Sequence, residues 1–214
     1  MSGDSRARMI ASAAALIGSR GLSGTSLSDV VADSGAPRGS IYHHFPGGKR
    51  QLAADAIDWT SGQILDHLRA CPATTPEGVL EWFTELWRQS ALASGGSAGC
   101  PVAGVALDTG PADDAAAAAG DRTAGDDRTA GDDGGDDLID AARDAFAAWT
   151  AALAERLRAT GVPAGRAGPV ALATLAAMEG ALIMCRAQRS AGPLEAIARE
   201  LPRLLAPAPD DDAS

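Results

Sequence analysis

The chain has 214 residues, 46% of them hydrophobic and only 4% aromatic, with a formal net charge of −10. This alanine-rich composition favours helices over strands, and the opening "MSGDSRARM" places no apolar run after a basic segment, so no secretory signal is expected. Cys71, Cys100 and Cys185 lie far apart without paired spacing, which argues against a zinc site or a disulfide framework, and no cofactor is expected.

Charge is unevenly spread. Residues 1–50 hold six Lys/Arg against three Asp/Glu, a balance of +3, whereas residues 51–214 hold twelve against twenty-five, a balance of −13. A basic start on an acidic remainder is a cue for a surface that meets a polyanion. An acidic globule with a few N-terminal arginines fits the same counts.

In chain order, Ile10, Ala13, Ala14 and Ile17 recur at helical spacing, and Gly21 is placed to end that helix. "SLSD" puts Ser26 and Asp29 at capping-box spacing, so a second, short helix starts there and stops near Gly35. Pro37 suits the first turn of a third helix, which Pro46 closes. Two short helices joined by a glycine-containing turn make a helix-turn-helix unit. Helices are expected over 49–70, 76–93, 137–160 and 169–187, followed by a last one with Leu194, Ile197, Leu201, Leu204 and Leu205 on one face, which Pro202 should kink or shorten. No segment alternates with period two, and the fold class is all-α.

Residues 111–135 interrupt this order. "DRTAGD" occurs twice in tandem among glycines and aspartates, too polar to offset the entropy of ordering, so a disordered acidic insertion is expected, and the "APAPDDDAS" tail is read the same way. The repeat lacks the D-x-D-x-D-G pattern and bidentate glutamate of a calcium loop. The apolar run "PVALATLAAMEGALIMC" (169–185) carries Glu179 at its middle and is short for a membrane span, so a cytoplasmic protein without a membrane partner is expected.

The stretch "GAPRGSIYHHFPGGK" (35–49) holds the only tyrosine, the only lysine and two of the three histidines. At about 100° per residue, Ile41 and Phe45 share one side of the third helix and face the core. Gly39, Ser40 and His43 lie opposite, Arg38 and Tyr42 on one flank, His44 on the other. Adjacent histidines diverge too far to clamp one metal, and no carboxylate or cysteine stands near them in sequence. Ser40 and His44 are four apart, but no third group or sheltered pocket accompanies them, so an enzyme centred here is disfavoured. A solvated polar surface and a DNA-contact surface remain. The second accounts for more: Gly39 admits a close backbone, Arg38 can address base edges, Ser40 and His43 can meet a base edge or a phosphate, and Tyr42, His44, Lys49, Thr25 and Ser26 suit phosphates.

"GTSLSDVVADSGAPRGSIYHHFPGGKRQL" (24–52) resembles the DNA-binding signature of the TetR family of bacterial one-component regulators, and "GCPV", "DAFAAWTAAL" and "MEGALIMCRAQRSAGPLE" are similar to its LmrA/YxaF-type branch. The resemblance implies a helix-turn-helix head over 1–48 and a helical effector-binding, dimer-forming domain over 49–208. It also implies operator contacts by Thr25, Ser26, Pro37, Arg38, Gly39, Ser40, Tyr42, His43, His44 and Lys49. The expected function is a repressor that binds a palindromic double-stranded operator as a homodimer and is released by a small apolar or aromatic organic effector.

Trp82, Phe83 and Trp87 on one helix and Phe146 and Trp149 on another are either plain core or the walls of an effector cavity, with Met178, Met184 and Cys185 adapting to its shape. For the dimer, the expected interface is the uncovered side of the 169–187 helix with the last leucine stripe: Leu182, Leu194, Ile197, Leu201 and Leu204, rimmed by Glu179, Arg186 and Arg189. Two alternatives stay open, a helical protein-interaction module and a redox sensor using Cys100.

Overall fold

The computed structural model describes residues 2–108 and 134–206. Its helices are α1 (Ser2–Arg20), α2 (Leu27–Ser34), α3 (Ser40–His44), α4 (Gly48–Arg69), α5 (Pro76–Ala93), α6 (Pro101–Asp108), α7 (Gly134–Ala159), α8 (Ala164–Gln188) and α9 (Gly192–Glu200), closed by a 3-10 turn at Leu201–Leu205. There is no strand among the described residues, and the all-α expectation holds. The disordered insertion and tail expected from the sequence fall almost wholly outside the described residues; positions 134 and 135 lie in α7. Two compact units emerge, Met1–Gly62 with Gly99–Phe146, and Gln63–Ala98 with Ala147–Ser214.

In the first unit, Met9, Ala13 and Ile17 give α1 a buried stripe against which α2 and α3 pack Val30, Ile41 and Phe45. Gly21 ends α1 with φ 81°, its N–H donating to the Ile17 carbonyl at 2.8 Å. Helix α2 has the full capping box: the Ser26 hydroxyl accepts from the Asp29 N–H at 3.1 Å, and the Asp29 carboxylate accepts from the Ser26 N–H at 3.0 Å. The third helix is shorter than the sequence suggests. It begins at Ser40, and Pro37 precedes it as the start of a turn whose carbonyl accepts the Ser40 N–H at 2.9 Å.

The same unit includes α6, whose apolar sequence meets α1 backbone to backbone. A Cβ placed on Gly18 would sit 2.3 Å from the Gly99 carbonyl oxygen, and one on Gly104 would sit 2.7 Å from that of Ile17. Glycine is required there by proximity to backbone, which cannot yield as a side chain can.

In the second unit, α5 starts from a Thr75 N-cap with Pro76 in its first turn and buries Val79, Leu80, Phe83, Trp87 and Ala91 as one face. His67 and Trp82 clasp α4 to α5: the rings stack at 4.8 Å, and the Trp82 indole N–H donates to the His67 carbonyl at 2.9 Å. Helix α8 begins five residues before Pro169 and buries Val170, Ala171, Leu175, Met178, Ala181, Leu182 and Cys185. Each large apolar side chain so covered contributes about 1.5–3 kcal/mol. Its length and composition would allow a membrane crossing, but this buried face makes it a core helix. As expected, Pro202 marks the point where regular α-helix gives way, after Glu200.

Two outcomes follow from the first unit. Gly18→Ala must force α1 and α6 apart and should lower stability by about 1–3 kcal/mol, read from chemical denaturation, although alanine is the better helix former. The second concerns Asp29, whose carboxyl is held below its usual 3.8, first by the Ser26 hydroxyl and then by the Ser26 N–H. A depressed carboxylate adds stability above its unfolded value and loses it as pH falls through the folded value. The wild type should therefore exceed Asp29→Asn by a constant margin above about pH 5, and the margin should fade below about pH 4.

Candidate nucleic-acid interface

Ile41 and Phe45, 2% and 0% exposed, bury one side of α3 as its spacing predicts. Arg6 reinforces the anchor, with its guanidinium 5.4 Å from the Phe45 ring centre and 2.6 Å from the Asp55 carboxylate. The opposite side is thereby turned outward: Arg38, Gly39, Tyr42 and His43 are exposed, and Tyr42 keeps 68% of its surface. His44 is half-buried, its ring 5.3 Å from that of His43. The Ser40 hydroxyl donates to the Pro37 carbonyl at 2.7 Å, which ties the turn to the helix.

Gly39 has α-helical angles, φ −73° and ψ −15°, and a Cβ added to it would meet nothing within 4 Å. Neither its conformation nor its packing calls for glycine, in contrast to Gly18. Beside it, a surface groove of about 390 Å3 runs between α2 and α3, bordered by Leu27, Ser28, Val31, Arg38 and Tyr42. Ser28 is exposed at the opening turn of α2, where helix N–H groups lack internal partners. The sequence offered no separate signal for it beside Ser26.

Two expected phosphate contacts differ in availability. Ser26 is exposed at the α2 N-terminus, although its hydroxyl also donates to Asp29 at 2.7 Å. Thr25 is only 3% exposed, and its hydroxyl donates to the Gly21 carbonyl at 2.8 Å, so that side chain holds the loop and is not presented outward. Lys49 is half-buried in the first turn of α4, next to Arg50, which pairs with Asp137.

The effector-side residues also separate. Phe83, Trp87 and Trp149 form a buried edge-to-face chain, with centroids 6.1 and 6.4 Å apart. Met178 and Cys185 are fully buried in the same unit. Trp82 instead serves the His67 clasp, and Phe146 belongs to the first unit. The Trp87 indole N–H and the Thr174 hydroxyl are buried with no hydrogen-bond partner among the described residues. Met184 corrects the sequence reading: it is 50% exposed, because α8 turns it outward together with Ile183.

The expected dimer leucines need the same correction. Leu182, Leu194 and Leu201 are 3%, 0% and 3% exposed, already covered within their own unit, while Ile197 and Leu204 are half-buried. The apolar side that α8 leaves open is Leu172, Ala176, Ile183 and Met184, with Leu172 58% and Ile183 62% exposed. Glu179 is half-buried, and Arg186 and Arg189 are exposed. Cys100 is only 5% exposed, so little of its surface meets solvent.

Residues 9–56 match the family model of bacterial regulatory proteins of the tetR family, and residues 129–200 match that of the LmrA/YxaF-like transcriptional regulator C-terminal domain. An HTH-type transcriptional regulator of Mycobacterium tuberculosis is 36% identical over 94% of this chain and 93% of its own. The HTH-type transcriptional regulator LmrA of Bacillus subtilis is 30% identical over 95% of this chain and 97% of its own. Among solved structures, a TetR transcriptional regulator from Chloroflexus aurantiacus superposes with a TM-score of 0.67 at 26% identity, covering 94% of this chain and 93% of its own. Regulatory protein TetR from Rhodobacter sphaeroides shares the fold, with a TM-score of 0.72 at 19% identity, covering 92% of this chain and 97% of its own. The helix-turn-helix at one end, the matched C-terminal region at the other and relatives aligned along nearly the whole length place this chain in the TetR family of bacterial transcriptional regulators, in its LmrA/YxaF-like group, whose members act by binding DNA and not by catalysis.

Proposed function

We propose that this protein is a cytoplasmic repressor that grips a palindromic operator with two α3 helices and lets go when a small apolar or aromatic molecule enters its second unit. The observation that carries the DNA side of this reading is Gly39, a glycine that its own fold does not require, at the centre of the face bounded by Arg38, Tyr42 and His43. An approaching DNA backbone or base edge supplies the missing reason. Arg38 is assigned to base edges, with Ser40 and His43 beside it; Tyr42, His44, Lys49, Pro37 and the α2 start at Ser26 are assigned to the phosphate frame.

A single α3 of five residues contacts too few base pairs to select a unique site, so two copies act together. The open stripe of α8 supports dimerisation: a run of Leu172, Ala176 and Ile183 has no reason to stay apolar in water, and a second copy presents the same stripe across a two-fold axis. On the effector side, the unpaired Trp87 indole N–H supports an occupant that brings a hydrogen-bond acceptor into the aromatic chain of Phe83 and Trp149. An occupant that fits better when the two heads are wrongly spaced for the operator shifts the population away from DNA.

Arg38→Ala should lose about 1–3 kcal/mol of discrimination between the operator and a site altered under α3. Lys49→Ala should weaken all duplexes alike and flatten the salt dependence. Equal loss of sequence preference in both would overturn this division of roles. For the dimer, Leu172→Glu with Ile183→Glu should give a folded monomer by sedimentation, with unchanged helical circular dichroism and no specific binding. A double variant that stays dimeric would remove α8 from the interface.

A further inference from the structure

Asp108, the last residue of α6, is bound to a loop 85 residues before it. One oxygen of its carboxylate accepts the Ser23 backbone N–H at 2.8 Å and the Ser23 hydroxyl at 3.1 Å. The same oxygen would lie 2.6 Å from a Cβ on Gly21, whose φ of 81° already favours glycine. From its other end the loop is closed by Thr25, which donates its hydroxyl to the Gly21 carbonyl and its N–H to that of Leu22. Residues 21–25 are thus fixed at both ends, and the next residue is Ser26, the N-cap of α2.

A carboxylate is a poor choice for this position on grounds of its own helix. The C-terminal end of α6 bears partial negative charge, and its last turn holds no basic residue to offset it. The gain from Asp108 lies in the loop it grips. Its base is firm, because α6 is set against α1 at Gly18, Gly99 and Gly104 with no side chain between the backbones.

From this geometry we infer that Asp108 is a positioning residue for operator binding: by gripping Ser23 it sets the α1–α2 loop and so the N-terminus of α2 against a DNA phosphate. The inference rests on the reading of that terminus as part of the phosphate frame. Asp108 itself does not touch DNA. Its negative charge near a phosphate is in itself unfavourable, so the two effects of removing it have opposite signs and can be told apart.

The probe is the duplex that the wild-type protein selects from a random pool, with affinity measured over a range of salt concentrations. Asp108→Ala should bind it roughly tenfold more weakly, with a salt slope smaller by about one phosphate contact. Asp108→Asn, which keeps an acceptor oxygen and drops the charge, should restore most of the affinity. Ser23→Ala, which keeps the backbone bond, should fall between, and combining it with Asp108→Ala should add little beyond Asp108→Ala alone. Affinity unchanged or tighter in Asp108→Ala overturns the inference. So does a lowered melting temperature with an unaltered salt slope, which would mark a purely structural contact. A wild type that selects no duplex overturns the DNA-binding reading itself, whereas one that selects normally while Asp108→Ala binds equally well overturns this assignment alone.

Discussion

The recognition face depends on two side chains that point away from it. Helix α3 has five residues, far below the length at which a helix holds itself together in water, so its shape and its roll about its axis are imposed by packing. Ile41 and Phe45 do this, four apart on one side and fully covered, with the Arg6 guanidinium against the Phe45 ring. Once they are seated, Arg38, Gly39, Tyr42 and His43 can only face outward. Loss of either anchor would leave each polar residue present and the surface they form undefined.

The compact unit that holds the head also takes in a later stretch of the chain. Helix α6 follows α5 in sequence, yet it lies with α1 in the first unit, and close contact at Gly18 and Gly99 leaves no room for a compressible side chain between them. A rigid pair of this kind transmits displacement and does not absorb it. Asp108 and Asp137 reach the head at Ser23 and Arg50, one on each side of the segment 109–136. These two carboxylates thus contact the chain just before α2 and in the first turn of α4.

Much of the head was legible because its signals are local. The Ser26/Asp29 box, the left-handed Gly35 and the i, i+4 pair Ile41/Phe45 each involve residues a turn apart, so spacing alone carries them. Pro37 was misplaced by a few residues because proline fits the turn before a helix as well as its first turn. Thr25 was read as a phosphate contact, but tertiary packing buries it and gives its hydroxyl the Gly21 carbonyl. For α8, apolar character around the circumference showed that it must be covered on more than one side without saying which side its own unit covers. The structure assigns Leu182 inward and Leu172 and Ile183 outward. The grip of Asp108 on Ser23, and the approach of α6 to α1 that brings it there, span most of the first unit and leave no periodic trace in the sequence.

In the proposed function, two outward α3 faces, spaced by a dimer, read DNA together. Selection of bound duplexes from a random pool by the purified protein, followed by footprinting of the recovered sequence, is the decisive measurement. The expected result is a two-fold symmetric consensus with half-sites centred about one helical turn apart, or a multiple of that distance. Recovery of an unsymmetrical sequence by a protein that sediments as a monomer would contradict it.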